Sequence, residues 1–165
     1  MSSHDSTADD IIRTARIEDA STIIEFNRRL ARETEHRELD PDTIAAGVRA
    51  ILLDSSKGRY FVAESGGTVV GQLMHTWEWS DWRNGQIWWL QSVYVTAHHR
   101  GRGVFRNLFE HVHRLASATP GVVGLRLYVE KQNAPAQSTY LKLGLEETSY
   151  IVLEQMLTRA GSEHG

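Results

Sequence analysis

The sequence predicts an α/β (α+β) fold: one mixed, mostly antiparallel sheet with helices packed against it. Three observations predict it. Two helical patterns lie between Glu18 and Leu52, with apolar residues three and four apart. Three extended runs then follow between Arg59 and Thr96, the first two joined by Gly66-Gly67. From there to the end, extended and helical runs alternate. A length of 165 residues fits one domain with a substantial core.

Each element has its own reason. Residues 1–10 (MSSHDSTADD) are a polar lead expected to be disordered, residues 11–158 the folded domain, and residues 159–165 a flexible tail. Ile11 to Ala15 reads as a short strand. Glu18-Asp19 opens a helix through Ile23, Ile24, Phe26 and Leu30, ending near Arg32. Asp40-Pro41 is a cap followed by proline, and Ile44, Val48, Ile51 and Leu52 continue it as a second helix. Strands are expected over Arg59–Glu64, Thr68–Glu78 and Gln86–Thr96, with the loop SDWRNG between the last two. Gly103 to Ala118 reads as a helix with Val104, Leu108, Val112 and Leu115 on one face, broken by Pro120-Gly121. Val122–Glu130 reads as a strand, Asn133–Leu143 as a short helix stopped by Gly144, and Leu145–Leu157 as a final strand.

Composition excludes several functions. With 41% hydrophobic and 24% charged residues and a net charge of -3, nothing marks general nucleic-acid affinity. Without cysteine, disulfides, thiolate metal sites and cysteine nucleophiles are excluded. The polar start is not a signal peptide, and no apolar run nears the roughly 18 residues that span a bilayer. A cytoplasmic protein is expected, with no membrane partner. His111 and His113 do not share a helical face, His98-His99 is adjacent, and no HExxH occurs, so no metal site is expected.

Two motifs carry chemistry. In VYVTAHHRGRGVFRNLFEHV, Val93 to Val112, a strand breaks on Gly101 and Gly103 and resumes as a helix. A helix start with glycines before it is an anion site: its N–H groups are unpaired and the backbone can approach a phosphate closely. Arg100, Arg102 and Arg106 add charge. It is neither a P-loop nor a complete GxGxxG, because Arg106 stands at the third glycine. Alone, the turn has a second reading as a solvated strand-to-helix connection. In VEKQNAPAQSTYLKLGL, Val129 to Leu145, Asn133 sits at a helix N-cap, and Asn133 and Tyr140, seven apart, share one face.

Together these motifs resemble the GCN5-related N-acetyltransferases, the GNAT superfamily. The first matches its (Q/R)-x-x-G-x-(G/A) turn through His98, Gly101 and Gly103. The second matches V-x-x-x-N-x-x-A-x-x-x-Y-x-x-x-G-(F/L) through Val129, Asn133, Ala136, Tyr140, Gly144 and Leu145. One position departs: His98 stands where Arg or Gln is usual. The resemblance implies a sheet of six to seven strands with about four helices, and acetyl transfer from acetyl-CoA to an amine. It implies that His98, Arg100, Gly101, Arg102, Gly103 and Val104 hold the pyrophosphate. Backbone of Val93, Tyr94 and Val95 would hold the pantetheine arm where this strand parts from the next, the Val93 N–H polarising the thioester. Asn133 and Ala136 would bind the arm, and Tyr140 would protonate the leaving thiolate.

The base is open. The strand through Trp88, Trp89, Gln91 and Ser92 has no carboxylate. Glu78, Asp81, Glu130, His75 or a water held by Gln91 and Ser92 are the candidates. The segment HTWEWSDWRNGQIWWLQ carries all five tryptophans with Glu78 and Asp81. Aromatic faces and carboxylates suit a cation, so Trp79, Asp81, Trp82, Trp89, Tyr128 and Glu130 are expected to bind a small-molecule amine. The same tryptophans serve equally as packed core or as the interface of a homodimer. A peptide N-acetyltransferase, or an acyl-CoA sensor without catalysis, remains the alternative.

Overall fold

A computed structural model describes residues 10–158, so the expected lead before Asp10 and the tail at 159–165 lie outside the described residues. The chain divides into two compact units, one ending at Leu127 and the other beginning at Tyr128.

The first unit holds β1 (Ile11–Thr14), α1 (Ala20–Glu35), α2 (Pro41–Leu53), β2 (Arg59–Ser65), β3 (Thr68–Ser80), β4 (Gly85–Val95), α3 (Val104–Ala118) and β5 (Val122–Arg126). The strands form one sheet in the order β1-β2-β3-β4-β5. The first three pairings are antiparallel and β4 with β5 is parallel. Side chains alternate between the two faces of the sheet. On one face, Tyr60, Val62 and Met74 pack with Ile23 of α1 and Val48 of α2. On the other lie Phe61, Leu73 and His75, with Leu108 and Val112 of α3 buried; the Phe61 ring meets His111 of α3 at 5.4 Å.

Local chemistry sets the ends. Asp40 caps α2, its carboxylate accepting the Thr43 N–H at 2.9 Å ahead of Pro41. His36 closes α1 in the left-handed region, its N–H bonding the Ala31 carbonyl. Arg13 of β1 ties Asp19 at 2.8 Å and Glu64 of β2 at 2.7 Å. That pairing holds the buried Asp19 carboxyl below its usual range. Gly85 is buried where a Cβ would meet Val123 Cγ1 at 2.3 Å and the Gly121 carbonyl at 2.8 Å. Only glycine lets the start of β5 come so close to β4.

The second unit contains α4 (Ala134–Lys142). Asn133 caps it by accepting the Ala136 N–H at 3.2 Å. Gly144, at a φ of 94°, ends it, and the Leu145 N–H returns to the Tyr140 carbonyl at 3.1 Å.

Three expectations fail in the strands. The described sheet has five strands, not six or seven. β5 stops at Arg126 instead of Glu130, because its last pairing is with Trp89 of β4. The expected strand at Leu145–Leu157 is not formed: Tyr150, Ile151, Val152, Leu153, Met156 and Leu157 are all exposed. Alternating apolar residues favour a strand only when a neighbouring ladder takes up its N–H and C=O groups. Among the described residues none does so here.

Candidate active site

The Gly-rich turn sits between β4 and α3. Gly101 and Gly103 have φ of 74° and 83°, and a Cβ on either would meet nothing within 4 Å, so the turn is open. No side chain caps the start of α3. Its first N–H groups and the positive end of its dipole therefore face an exposed loop flanked by His98, Arg102 and Arg106. Arg100 behaves differently from expectation. Its guanidinium pairs with Glu33 of α1 at 2.6 Å, donates to the Val95 carbonyl at 2.8 Å and lies over the Tyr94 ring. It braces α1 against the end of β4 and is already engaged before any phosphate arrives. Tyr94 is likewise a packing residue, buried with its ring 5.0 Å from Phe26.

β4 has two irregularities that matter for an acyl arm. Pairing with β5 ends at Trp89, so Leu90 to Val95 have no strand on that side among the described residues. Opposite β3, Met74 pairs with Gln91 and Gln72 with Tyr94, so Leu73 alone faces both Ser92 and Val93. That is a β-bulge, and Ser92 takes a φ of 51° to make it.

The expected acceptor residues separate. Trp89, Glu78, Thr76 and Gln91 lie on the α1/α2 face. Glu78 Oε2 accepts from Trp89 Nε1 at 3.2 Å and from Arg126 at 2.5 Å, and Arg126 also lies over the Trp89 ring at 5.7 Å. Gln91 donates to Thr76 at 2.7 Å. Trp79 belongs to the opposite face, with Trp77, Trp88 and His75. A pocket walled jointly by Trp79, Trp82 and Trp89 is therefore not formed, because the pleat sends Trp79 and Trp89 apart. Trp82 and Asp81 sit in the exposed turn, Trp82 at 85% exposure. Trp88 is buried core.

His75 is ruled out as the base. It is fully buried, stacked 4.0 Å from Trp88 and 4.6 Å from Trp77, and neither ring nitrogen has a partner. Burial, with Arg59 nearby, lowers its pKa from 6.5 to about 4.

In the second unit, Tyr140 is half-buried on α4 and burial raises its phenol pKa above the usual value. Glu130 accepts the Gln132 N–H at 2.8 Å, and Tyr128 is exposed. Sequence reading missed Glu33, Thr76 and the role of Arg126. Only Arg126 had a local signal, as a lone cation on the strand after the cofactor loop.

The chain matches the acetyltransferase (GNAT) family over residues 20–145. It belongs to that family. A structure described as a possible acetyltransferase from Clostridium difficile 630 is 45% identical, with a TM-score of 0.85 over 91% of this chain and 99% of that one. A predicted acetyltransferase with acetyl-CoA from Clostridium acetobutylicum shares the fold at 16% identity and a TM-score of 0.72, covering 88% of this chain and 96% of that one. AAC(6')-Iy, solved with a CoA bisubstrate analog, shares it at 20% identity and a TM-score of 0.71, covering 90% and 99%. No curated protein matches. As a GNAT N-acetyltransferase the enzyme uses acetyl-CoA. The open turn, the uncapped start of α3 and the arginines beside it fit a pyrophosphate, and the unpaired side of β4 fits an extended arm.

Proposed function

We propose that this acetyltransferase acetylates a primary amine of a small molecule by direct attack on the thioester. The observation that carries the proposal is the Glu78–Trp89–Arg126 cluster on the face of β3, β4 and β5. Glu78 Oε2 accepts both donors; Oε1 remains to meet an ammonium, with the Trp89 ring beside it. Acetyl-CoA supplies an activated acyl group. Backbone of Val93 and Val95 lines the arm, with the Val93 N–H on the thioester oxygen. Asn133 uses its Oδ1 on the Ala136 N–H, and its Nδ2 is the donor left for the arm. Tyr140 stays protonated at neutral pH and has a proton to give a thiolate whose free pKa is about 8.5. A cytoplasmic setting and a homodimer complete the proposal; sedimentation of the purified protein tests the second.

One observation favours a larger acceptor. Trp79 and Trp82 are exposed at the β3–β4 hairpin end and offer aromatic faces that a peptide could cover. The test is thiol release from acetyl-CoA with a panel of small alkyl, aryl-alkyl and polyamine acceptors beside short peptides. Release above hydrolysis with a small amine, reduced at least about ten-fold in Glu78→Gln, is expected. Release only with peptides would replace the small-molecule assignment, and none with any amine would end it.

A further inference from the structure

Ser92 occupies a conformation that non-glycine side chains rarely adopt, in the middle of β4. Something must hold it there. Gln72 of β3 is fully buried, and its Nε2 donates to the Ser92 carbonyl at 3.0 Å. Its own Oε1 has no partner. A buried amide with a bare carbonyl is a poor choice for stability, and an apolar side chain would fill the same space. Support also comes from α1: Asn27 donates to the Ile23 carbonyl at 3.1 Å and to the Tyr60 hydroxyl at 3.1 Å, and the Ser92 side chain reaches that hydroxyl.

The carbonyl of Ser92 and the N–H of Val93 belong to one planar trans peptide and point in opposite directions. Holding the first aims the second away from Gln72. We infer that Gln72 is a positioning residue: by fixing the Ser92 carbonyl it fixes the direction of the Val93 N–H, and so the polarisation of the bound thioester. The inference rests on the role given above to Val93. Gln72 touches neither reactant and acts through one peptide plane.

Gln72→Met keeps length and apolar volume and removes the donor. Its kcat is expected to fall about ten-fold or more, while the affinity for CoA changes less than about two-fold. Ser92→Gly relaxes the φ and serves only as the background for the double variant. The double variant Gln72→Met, Ser92→Gly relieves strain if the single variant folds poorly, and is still slow. A second readout needs no acceptor: the carbonyl of isotope-labelled acetyl-CoA, followed by NMR, moves downfield on binding to the parent and returns toward its free position on Gln72→Met. If the parent acetylates none of the amines, this resonance still tests Gln72. Equal shifts in the two proteins, or an unchanged kcat, overturn the inference.

Discussion

Acidification should expose the cost of burying His75. The folded protein binds a proton there only near pH 4, whereas the unfolded chain binds one near pH 6.5. Between those values the unfolded state holds more protons, so stability falls as the pH falls from about 7 to about 4 and is insensitive to this group outside that window. The gap of 6.5 − 4 = 2.5 units, at about 1.36 kcal/mol each, amounts to about 3 kcal/mol. That is a large share of the stability of a domain this size. Urea unfolding in steps across that window measures it, with His75→Phe as the comparison. Phenylalanine keeps the stack on Trp88 and Trp77 but cannot take a proton. Carboxylates and His111 titrate in both proteins, so the difference isolates His75. The parent should lose about 2–3 kcal/mol more than the variant by pH 4. Parallel curves would refute the reasoning and would mean that the two indole faces stabilise the imidazolium as well as water does.

Other substitutions test other parts of the structure. Tyr140→Phe should lower kcat by about ten-fold or more with CoA affinity intact, read by thiol release and calorimetry; an unchanged kcat removes Tyr140 as the acid. Gly103→Ala forces alanine to a φ of 83°, so a melt should show a loss of about 1–2 kcal/mol, with a several-fold rise in KM for acetyl-CoA. Gly85→Ala drives a Cβ into Val123 and the Gly121 carbonyl and should destabilise the β4–β5 junction by about 1–3 kcal/mol by urea titration.

What the sequence disclosed was local, and what it hid was distant. The Gly101–Gly103 turn, the Asp40 and Asn133 caps and the helix stop at Gly144 each rest on residues within a few positions of one another. Their element ends therefore came out within about three residues. The contacts that shape the site join residues far apart: Gln72 to Ser92 across 20 positions, Glu78 to Arg126 across 48 and Glu33 to Arg100 across 67. No spacing rule reaches that far. The bulge has the same character, since Ser92 carries no glycine to mark its positive φ. The segment after Gly144 failed for a related reason: its apolar pattern specifies a face, but a strand also needs a neighbour.

Glu78 shows why the base stayed unreadable. A carboxylate near the acceptor looks like a proton acceptor until its contacts are known. Here one oxygen already accepts from an indole and a guanidinium, and both contacts hold the carboxylate in place. Such a group is placed to meet a cation. An alkyl ammonium of pKa about 10.4 is deprotonated about once in a few thousand molecules at pH 7, so the proton must still leave. With His75 sealed in its aromatic stack and Gln91 engaged with Thr76, a route through water along the half-exposed face makes a testable claim on the pH profile. Turnover should then rise with pH toward the pKa of the amine, without a plateau set by a protein base. A rate that levels between pH 6 and 8 would instead point to a residue with its own proton-accepting group at the acceptor.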